Sequence, residues 1–400
     1  MRIAVDASVL ETARPTGVER ALREQLRALA AMASEAGSAA SRHEFLLIAR
    51  RPIELGFALP ERFRVVDLAA HAPGRCWREA LLDPLLRREK VALLHSPVLA
   101  LPLALRRAPY AMVATVHEVP WREPGGGAGL ELARRFRLAD AARRAHRLIA
   151  VSQRTRDHVV ALHPQAAART VVIGHGVEPR FAPQPPPSAP SAPSAPPDAV
   201  TAPRDLLATE RAALLARYRL PDAPFLLFVG AARARKNLAG LLAAYAGLPA
   251  ELRERHPLLL AGVTGDAVAP LQAQAQQLAI ADRLLLPGFI DDVDLPALFR
   301  AAHALLFPSR FEGFGLPLLE AMASGLPIVA SRGGALPEVA GDAALLLDDD
   351  ATAALAAAIA RIATDVPLRE QLRARGLARA ATFRWSRAAL QLLALWESCA

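Results

Sequence analysis

Four hundred residues carry 48 Lys and Arg against 39 Asp and Glu, a net charge of +9, with 53% hydrophobic side chains and two cysteines. That length exceeds what one hydrophobic core usually holds, so two domains are expected. Cys76 and Cys399 have no metal-ligand spacing and are too few for a disulfide framework, which suits a reducing compartment. Asp6 interrupts the apolar start MRIAVDASVL, and no apolar run reaches about 18 residues, so neither a signal peptide nor a membrane span is expected and the chain reads as cytoplasmic.

The positive charge is uneven. Residues 1–176 hold 27 basic and 17 acidic side chains, whereas residues 177–400 hold 21 and 22. A basic first half suits an anionic partner, or is simply a soluble arginine-rich surface. The basic residues lack interleaved aromatics and no nucleic-acid motif is recognisable, so nucleic acid is not expected. Peripheral contact with an anionic membrane stays open.

Arg2–Asp6 reads as the first strand, and Thr16-Gly17-Val18-Glu19 opens an amphipathic helix with Leu22, Leu26 and Leu29 at helical spacing. Gly17 stands at a strand-to-helix turn, where backbone amides can face a phosphate or sugar, although one glycine is also what any turn carries. Further strands are predicted at Glu44–Ala49, Phe63–Asp67 and residues 91–95. They alternate with helical patterns such as residues 77–90, as in a doubly wound sheet. The apolar run Ala111–Val116 ends at His117-Glu118. A histidine just past a strand's carboxyl end is in the ligand-binding position of such a sheet; the plainer reading is a half-buried surface histidine. Residues 125–129 read as a mobile glycine loop. Residues 130–147 read as a basic helix. Its arginines either meet a membrane or anionic acceptor, or form a solvated face opposite Leu132, Phe136 and Ala139, and the second reading is the simpler. Residues 148–151 form the next strand, with Ser152 capping the helix after it. Residues 171–173 then lead to His175-Gly176-Val177.

Residues 179–203 contain ten prolines and repeated Ser-Ala-Pro, a composition that reads as an extended linker. Residues 225–230 begin a second strand–helix series. Between that strand and a helix starting near Leu238 lie the adjacent cations Arg235 and Lys236. Such a pair suits a diphosphate, Arg gripping two oxygens and Lys supplying a compact charge, while an exposed basic turn is the bland alternative. Strands follow at 258–262 and 284–286, the latter leading to Pro287-Gly288-Phe289-Ile290, and then a helix at Leu295–Ala301.

Ala304–Phe307 is a short apolar run stopped by Pro308, as expected of a buried parallel strand. A glycine loop leads to a helix with Pro317 at its first position and Gly325 closing it. Residues 327–330 are another strand, Gly333-Gly334 another loop, and Pro337 opens another helix. Glu312 lies in the first loop and Glu320 in the first turn of the helix. Eight residues apart, they do not stack on one helix face, but the glycine loop can fold Glu312 over the same crevice as Glu320. Alternatively Glu320 serves the helix dipole and Glu312 is solvated. Asp291, Asp292 and Asp294, like residues 348–350, are read as helix caps and solvated turns rather than a metal site.

The run E-G-F-G-L-P-L-L-E, residues 312–320, resembles the E-x7-E motif of family 4 retaining glycosyltransferases of the GT-B fold. Residues 285–309 and 323–348 resemble that family nearly position by position. The resemblance implies an α/β protein with two Rossmann-like domains facing each other across a cleft. Residues 1–178 would form the amino-terminal, acceptor-side domain. Residues 179–204 would be a Pro/Ala/Ser-rich linker insertion, and residues 205–382 the nucleotide-sugar-binding domain. In residues 383–400, a last helix begun by Phe383-Arg384-Trp385-Ser386 would cross back to the first domain. The resemblance also implies transfer of a sugar from a nucleoside-diphosphate donor to a growing glycan or lipid-linked acceptor, with retention of configuration and with neither cofactor nor metal. The TGVER turn, the RKN loop and the GFGLP core look most like mannosyltransferase-like members that build bacterial surface polysaccharides such as lipopolysaccharide. GDP-mannose is therefore the favoured donor, with UDP- and dTDP-sugars open.

Residue by residue, the resemblance puts Gly17 in a turn lining the cleft and gives His117 a hydrogen bond to the sugar or acceptor; Glu118 stands where Asp is commoner. Arg235 and Lys236 would neutralise the diphosphate, helped by Arg233, because Ala231 follows Gly230 where many members carry another Arg. Glu320 would accept from ribose hydroxyls. Glu312 would orient the sugar or stabilise positive charge at the anomeric carbon. Phe314, Gly315 and Leu316 form the donor-binding motif between them, Gly333 and Gly334 would offer amides to the diphosphate, and Phe289 would border the base. A nucleotide-sugar epimerase of the same fold and a non-catalytic sugar-binding protein are the alternatives. The E-x7-E unit speaks against the first, and the presence of Glu312, Lys236 and His117 against the second.

Overall fold

The structure, a computed structural model, describes residues 1–12, 16–68, 77–102, 108–119, 128–183, 204–348 and 351–399. Most of the glycine loop (125–127) and most of the predicted linker (184–203) lie outside the described residues. The chain divides into two compact units, Met1–Gly176 with Phe383–Ala400, and Val177–Thr382.

In the first unit β1 (Arg2–Asp6), β2 (Glu44–Ala49), β3 (Phe63–Asp67), β4 (Leu93–Ser96), β5 (Ala111–Val116), β6 (Arg147–Ala150) and β7 (Thr170–Val172) form a parallel sheet in the order β3-β2-β1-β4-β5-β6-β7. Helices α1 (Gly17–Ser34), α2 (Asp83–Arg88), α3 (Ala128–Arg144) and α4 (Gln153–Leu162) make crossovers. The strands are apolar because both faces of a parallel sheet are covered; β5 is buried at every position. Local chemistry fixes the helix starts. The Thr16 amide donates to Glu19 Oε2 at 2.7 Å ahead of α1, and the Thr155 amide donates to Ser152 Oγ at 3.0 Å in α4. Strand order reverses at β1, so a crevice opens at the carboxyl ends of β1 and β4.

The second unit repeats the plan with β8 (Leu226–Val229), β9 (Leu258–Ala261), β10 (Leu284–Gly288), β11 (Ala304–Phe307), β12 (Ile328–Ser331) and β13 (Leu345–Leu347), in the order β10-β9-β8-β11-β12-β13. Its helices are α5 (Arg204–Tyr218), α6 (Leu238–Ala246), α7 (Ala250–Arg255), α8 (Val268–Gln277), α9 (Leu295–Ala301), α10 (Leu316–Ala323), α11 (Leu336–Ala340), α12 (Thr352–Thr364) and α13 (Val366–Ala380). Here the order reverses between β8 and β11, which pair through Ala304 with Leu226 and Leu305 with Leu227. The chain then returns to the first unit as α14 (Trp385–Glu397). There Trp396 is fully buried, 5.4 Å from the His95 ring, and Glu397 lies 2.9 Å from His43 Nε2.

Several expectations are corrected. β4 begins at Leu93 rather than Val91. The helix predicted for residues 77–90 opens with a wide π turn, Arg78–Leu82, and becomes regular only at α2, where Pro84 lacks the amide that a helix interior would use. α3 ends at Arg144, because Arg147 already belongs to β6. Its buried face is also not the predicted one. Leu138, Ala141, Ala142 and Ala145 join the core while Leu132 and Phe136 are exposed. Both stripes have helical spacing, and the one rich in alanine lets the helix lie closer to the sheet. At the start of the predicted linker, Phe181 is buried 5.8 Å from the Phe299 ring and Arg180 pairs with Asp292 at 2.7 Å; at its end, Arg204 opens α5.

Candidate active site

Three loops leave the carboxyl ends of β8, β11 and β12, around the reversal point of the second sheet. The loop after Gly230 ends in a tight turn, Ala234–Lys236, and Asn237, in the left-handed region at φ 54°, starts α6. The Arg310 amide donates to Arg235 O at 2.7 Å and ties the β8 loop to the β11 loop. The Ala335 amide donates to Glu312 O at 2.9 Å and ties the β12 loop to the same place. Gly334 makes that second tie possible: its φ is +65°, and a Cβ there would stand 2.2 Å from Glu312 O.

These ties bring Glu312, Arg235 and Lys236 together. Glu312 Oε1 accepts from Lys236 Nζ at 2.5 Å and lies 2.9 Å from Arg235 Nη1, which also donates to Phe311 O at 2.9 Å. Glu312 and Lys236 are each 7% exposed. Burial alone would raise the Glu312 pKa, but the Lys236 and Arg235 charges outweigh it and hold the carboxyl below its usual range. Two cations thus meet at one buried carboxylate, an arrangement that suits an anionic ligand. Sequence reasoning missed Phe307, whose ring lies 4.6 Å from Lys236 Nζ; its signal was an aromatic residue at the last position of β11.

Glu320 is not in the first turn of its helix. Gly315, at φ 101°, is the N-cap, Leu316 the first residue and Pro317 the second, so Glu320 is the fifth. The dipole benefit fades beyond the first turn, and Glu320 is 3% exposed, so the helix dipole does not account for it. Phe314 is buried beside this N-cap, and Leu316 is half-buried. Phe289 follows β10 and is half-buried, and the Gly230 amide donates to Ala261 O at 2.9 Å. The Gly333 amide donates to Ser331 Oγ at 3.3 Å. Arg233 is exposed ahead of the tight turn. The aspartates near residue 292 are ion-paired rather than capping. Arg217 holds Asp291 and Asp294, and Arg180 holds Asp292, while Asp294 at the N-cap of α9 makes no side-chain cap bond. Among the described residues no group of three His, Cys, Asp or Glu side chains could hold a metal ion.

In the first unit, His117 follows β5 directly. Its Nε2 lies 2.8 Å from Pro97 O, and since a carbonyl only accepts, Nε2 carries the proton and the neutral ring keeps a lone pair on Nδ1. Burial holds its pKa below the ordinary histidine value, partly opposed by that bond and by Glu19 in the first turn of α1. Gly17 is the exposed first residue of α1, two positions before Glu19. The His117 ring stacks on His175 at 5.6 Å, and His175 lies 5.5 Å from the Trp385 ring.

Residues 15–181 match the model of Glycosyltransferase Family 4, and residues 213–379 match that of Glycosyl transferases group 1. The chain is 40% identical over 180 residues to O-antigen chain mannosyltransferase B of Escherichia coli, a match covering 45% of this chain and 47% of that relative. It thus spans less than half the length of that curated relative. Among solved structures, a sucrose-phosphate synthase from Thermosynechococcus elongatus superposes with a TM-score of 0.74 at 23% identity, covering 100% of this chain and 98% of that one. Anabaena HepE in complex with UDP-glucose superposes with a TM-score of 0.72 at 19% identity, covering 100% of both. These structures share the α/β GT-B fold with the two sheets described above.

Proposed function

The chain belongs to the family 4 glycosyltransferases, and from that premise we propose that it transfers a hexose from a nucleoside-diphosphate sugar to a growing, lipid-linked glycan of a cell-surface polysaccharide. The donor proposed is GDP-mannose, and the configuration at the anomeric carbon is retained. The mannose assignment draws on the similarity to the E. coli mannosyltransferase.

The observation that carries the reading is the meeting of Lys236 and Arg235 at Glu312, placed at the reversal point of the second sheet. In the reaction the bond between the anomeric carbon and the β-phosphate oxygen breaks. The anomeric carbon bonds to the acceptor oxygen, and the acceptor proton passes to the departing diphosphate. Lys236 and Arg235 stabilise the charge that grows on that diphosphate. Glu312 remains ionised and faces the sugar hydroxyls or the positive anomeric centre. Glu320 binds the ribose, Phe289 borders the base, and Phe314, Gly315 and Leu316 shape the donor wall. His117, neutral and with Nδ1 as acceptor, takes a hydroxyl hydrogen of the sugar or acceptor. No side chain is assigned as a covalent nucleophile, so the leaving phosphate serves as the base on the face where the acceptor enters. Two protein cations do the work that a metal ion does elsewhere, and no cofactor is assigned. The enzyme would work peripherally at the inner face of the cytoplasmic membrane.

Transfer of labelled mannose from GDP-mannose to lipid-extracted acceptor, with a chelator present, tests this. Transfer that survives the chelator and is lost in Lys236→Ala is expected. Dependence on an added divalent ion would contradict the charge assignment, and hydrolysis without transfer would contradict the acceptor.

A further inference from the structure

Among the described residues six large hydrophobic side chains stand exposed, and two of them share one face of α3: Leu132 at 69% and Phe136 at 57%. Ala139 and Arg143, also exposed, continue that stripe at helical spacing. The opposite stripe, Leu138, Ala141 and Ala142, is in the core, so the exposed face has no partner among the described residues of the unit. Arg135 and Arg137 are exposed on the flanks of that stripe and, among the described residues, make no hydrogen bond or ion pair. Asp140, the one carboxylate of α3 whose side chain is described, is buried and bonded to Arg143 at 3.3 Å and to Arg144.

We propose that this face of α3 docks on an anionic phospholipid surface, with Leu132 and Phe136 entering the boundary between headgroups and acyl chains and Arg135 and Arg137, which flank the stripe, meeting lipid phosphates. Apolar side chains flanked by unpaired arginines are how a surface helix lies in a bilayer interface. Two large side chains are too little apolar surface for a protein interface, which takes roughly 800 Å² from each partner. The 27 basic against 17 acidic side chains in residues 1–176 add a field that attracts an anionic leaflet. No helix among the described residues is long and apolar enough to cross a membrane, so α3 would lie on the surface. The inference deepens the transferase reading by naming where a lipid-borne acceptor would be met.

The test is co-sedimentation with vesicles of phosphatidylcholine alone and of phosphatidylcholine mixed with phosphatidylglycerol. The wild-type protein is expected on the mixed vesicles only, with binding that weakens as salt is raised. A Leu132→Ser/Phe136→Ser variant should bind about tenfold or more weakly, and Arg135→Gln/Arg137→Gln should lose the preference for anionic lipid. Both variants change exposed positions, and unaltered thermal unfolding verifies that they fold. Three outcomes overturn the proposal: no vesicle binding by the wild type, equal binding by the variants, or a wild-type dimer that the serine variant makes monomeric. Stabilisation by donor nucleotides, measured on the same proteins, keeps the two claims apart. Nucleotide binding without vesicle binding sinks only the docking face, and vesicle binding without nucleotide binding sinks only the transferase.

Discussion

Glu312 is ionised because Lys236 and Arg235 surround it, and that contact governs what each residue does when replaced. Glu312→Gln removes a negative charge from the proposed diphosphate seat without changing its shape. The variant is expected to bind nucleoside diphosphate alone about three- to tenfold tighter, since a carboxylate no longer competes for the cations. Transfer should fall by about 100-fold or more, because the ionised group beside the sugar is gone. Calorimetric titration and initial rates check both halves; weaker nucleotide binding would mean that the cations do not hold the diphosphate. Lys236→Ala leaves Glu312 buried with Arg235 as its remaining cation and should destabilise the second unit by about 3 kcal/mol. Adding Glu312→Gln to Lys236→Met should restore stability but not donor binding, a separation that denaturant melts and nucleotide titrations read independently. Both residues were legible in the sequence from the spacing of their motifs. Their contact was not, because it spans 76 residues and depends on β8 and β11 being neighbours.

At the scale of elements, the loops that hold this cluster tolerate little. Gly334→Ala would force a left-handed φ on an alanine and place its Cβ against Glu312 O, so a loss of about 2 kcal/mol or more is expected together with loss of nucleotide-induced stabilisation. A variant that melts normally and still responds to nucleotide would show that the β12 loop does not position Glu312. The strands were readable because buried parallel strands are continuous apolar runs; β2, β3, β5 and β11 have the predicted bounds. Helix detail was less readable, for separate physical reasons. α10 starts one residue before Pro317 because proline is tolerated anywhere in a first turn, which moves Glu320 out of that turn. α3 offers two stripes with the same period, and only contact with the sheet decides which is buried. The role of the aspartates near residue 292 turned on Arg217 and Arg180, both distant in sequence.

At the scale of the whole molecule, buried neutral histidines set the response to acid. Burial lowers His95 to about 3 and His303 to about 4, and holds His117 and His175 below the ordinary 6.5. The unfolded chain takes up those protons below about pH 6.5 while the folded chain refuses them. Stability is therefore full above that pH and falls as pH drops from 6.5 toward 3, at about 1.4 kcal/mol per pH unit for a fully buried histidine. Glu312, whose carboxyl is also lowered, adds to the loss only below its ordinary 4.5. Denaturant melts between pH 7.5 and 5.5 should show this decline, with a shallower slope in His95→Asn; a flat profile would contradict the burial of these rings as neutral groups.

The most direct test of the central claim, that Lys236 and Arg235 hold a nucleoside diphosphate, is a thermal-shift screen of GDP, UDP, dTDP and ADP and their sugars without added metal. One nucleotide at 100 times its dissociation constant should stabilise the protein by about 2.7 kcal/mol, an effect expected for GDP and absent in Lys236→Ala and Glu320→Ala. Stabilisation that persists in Lys236→Ala, or no response to any nucleotide, would contradict the account.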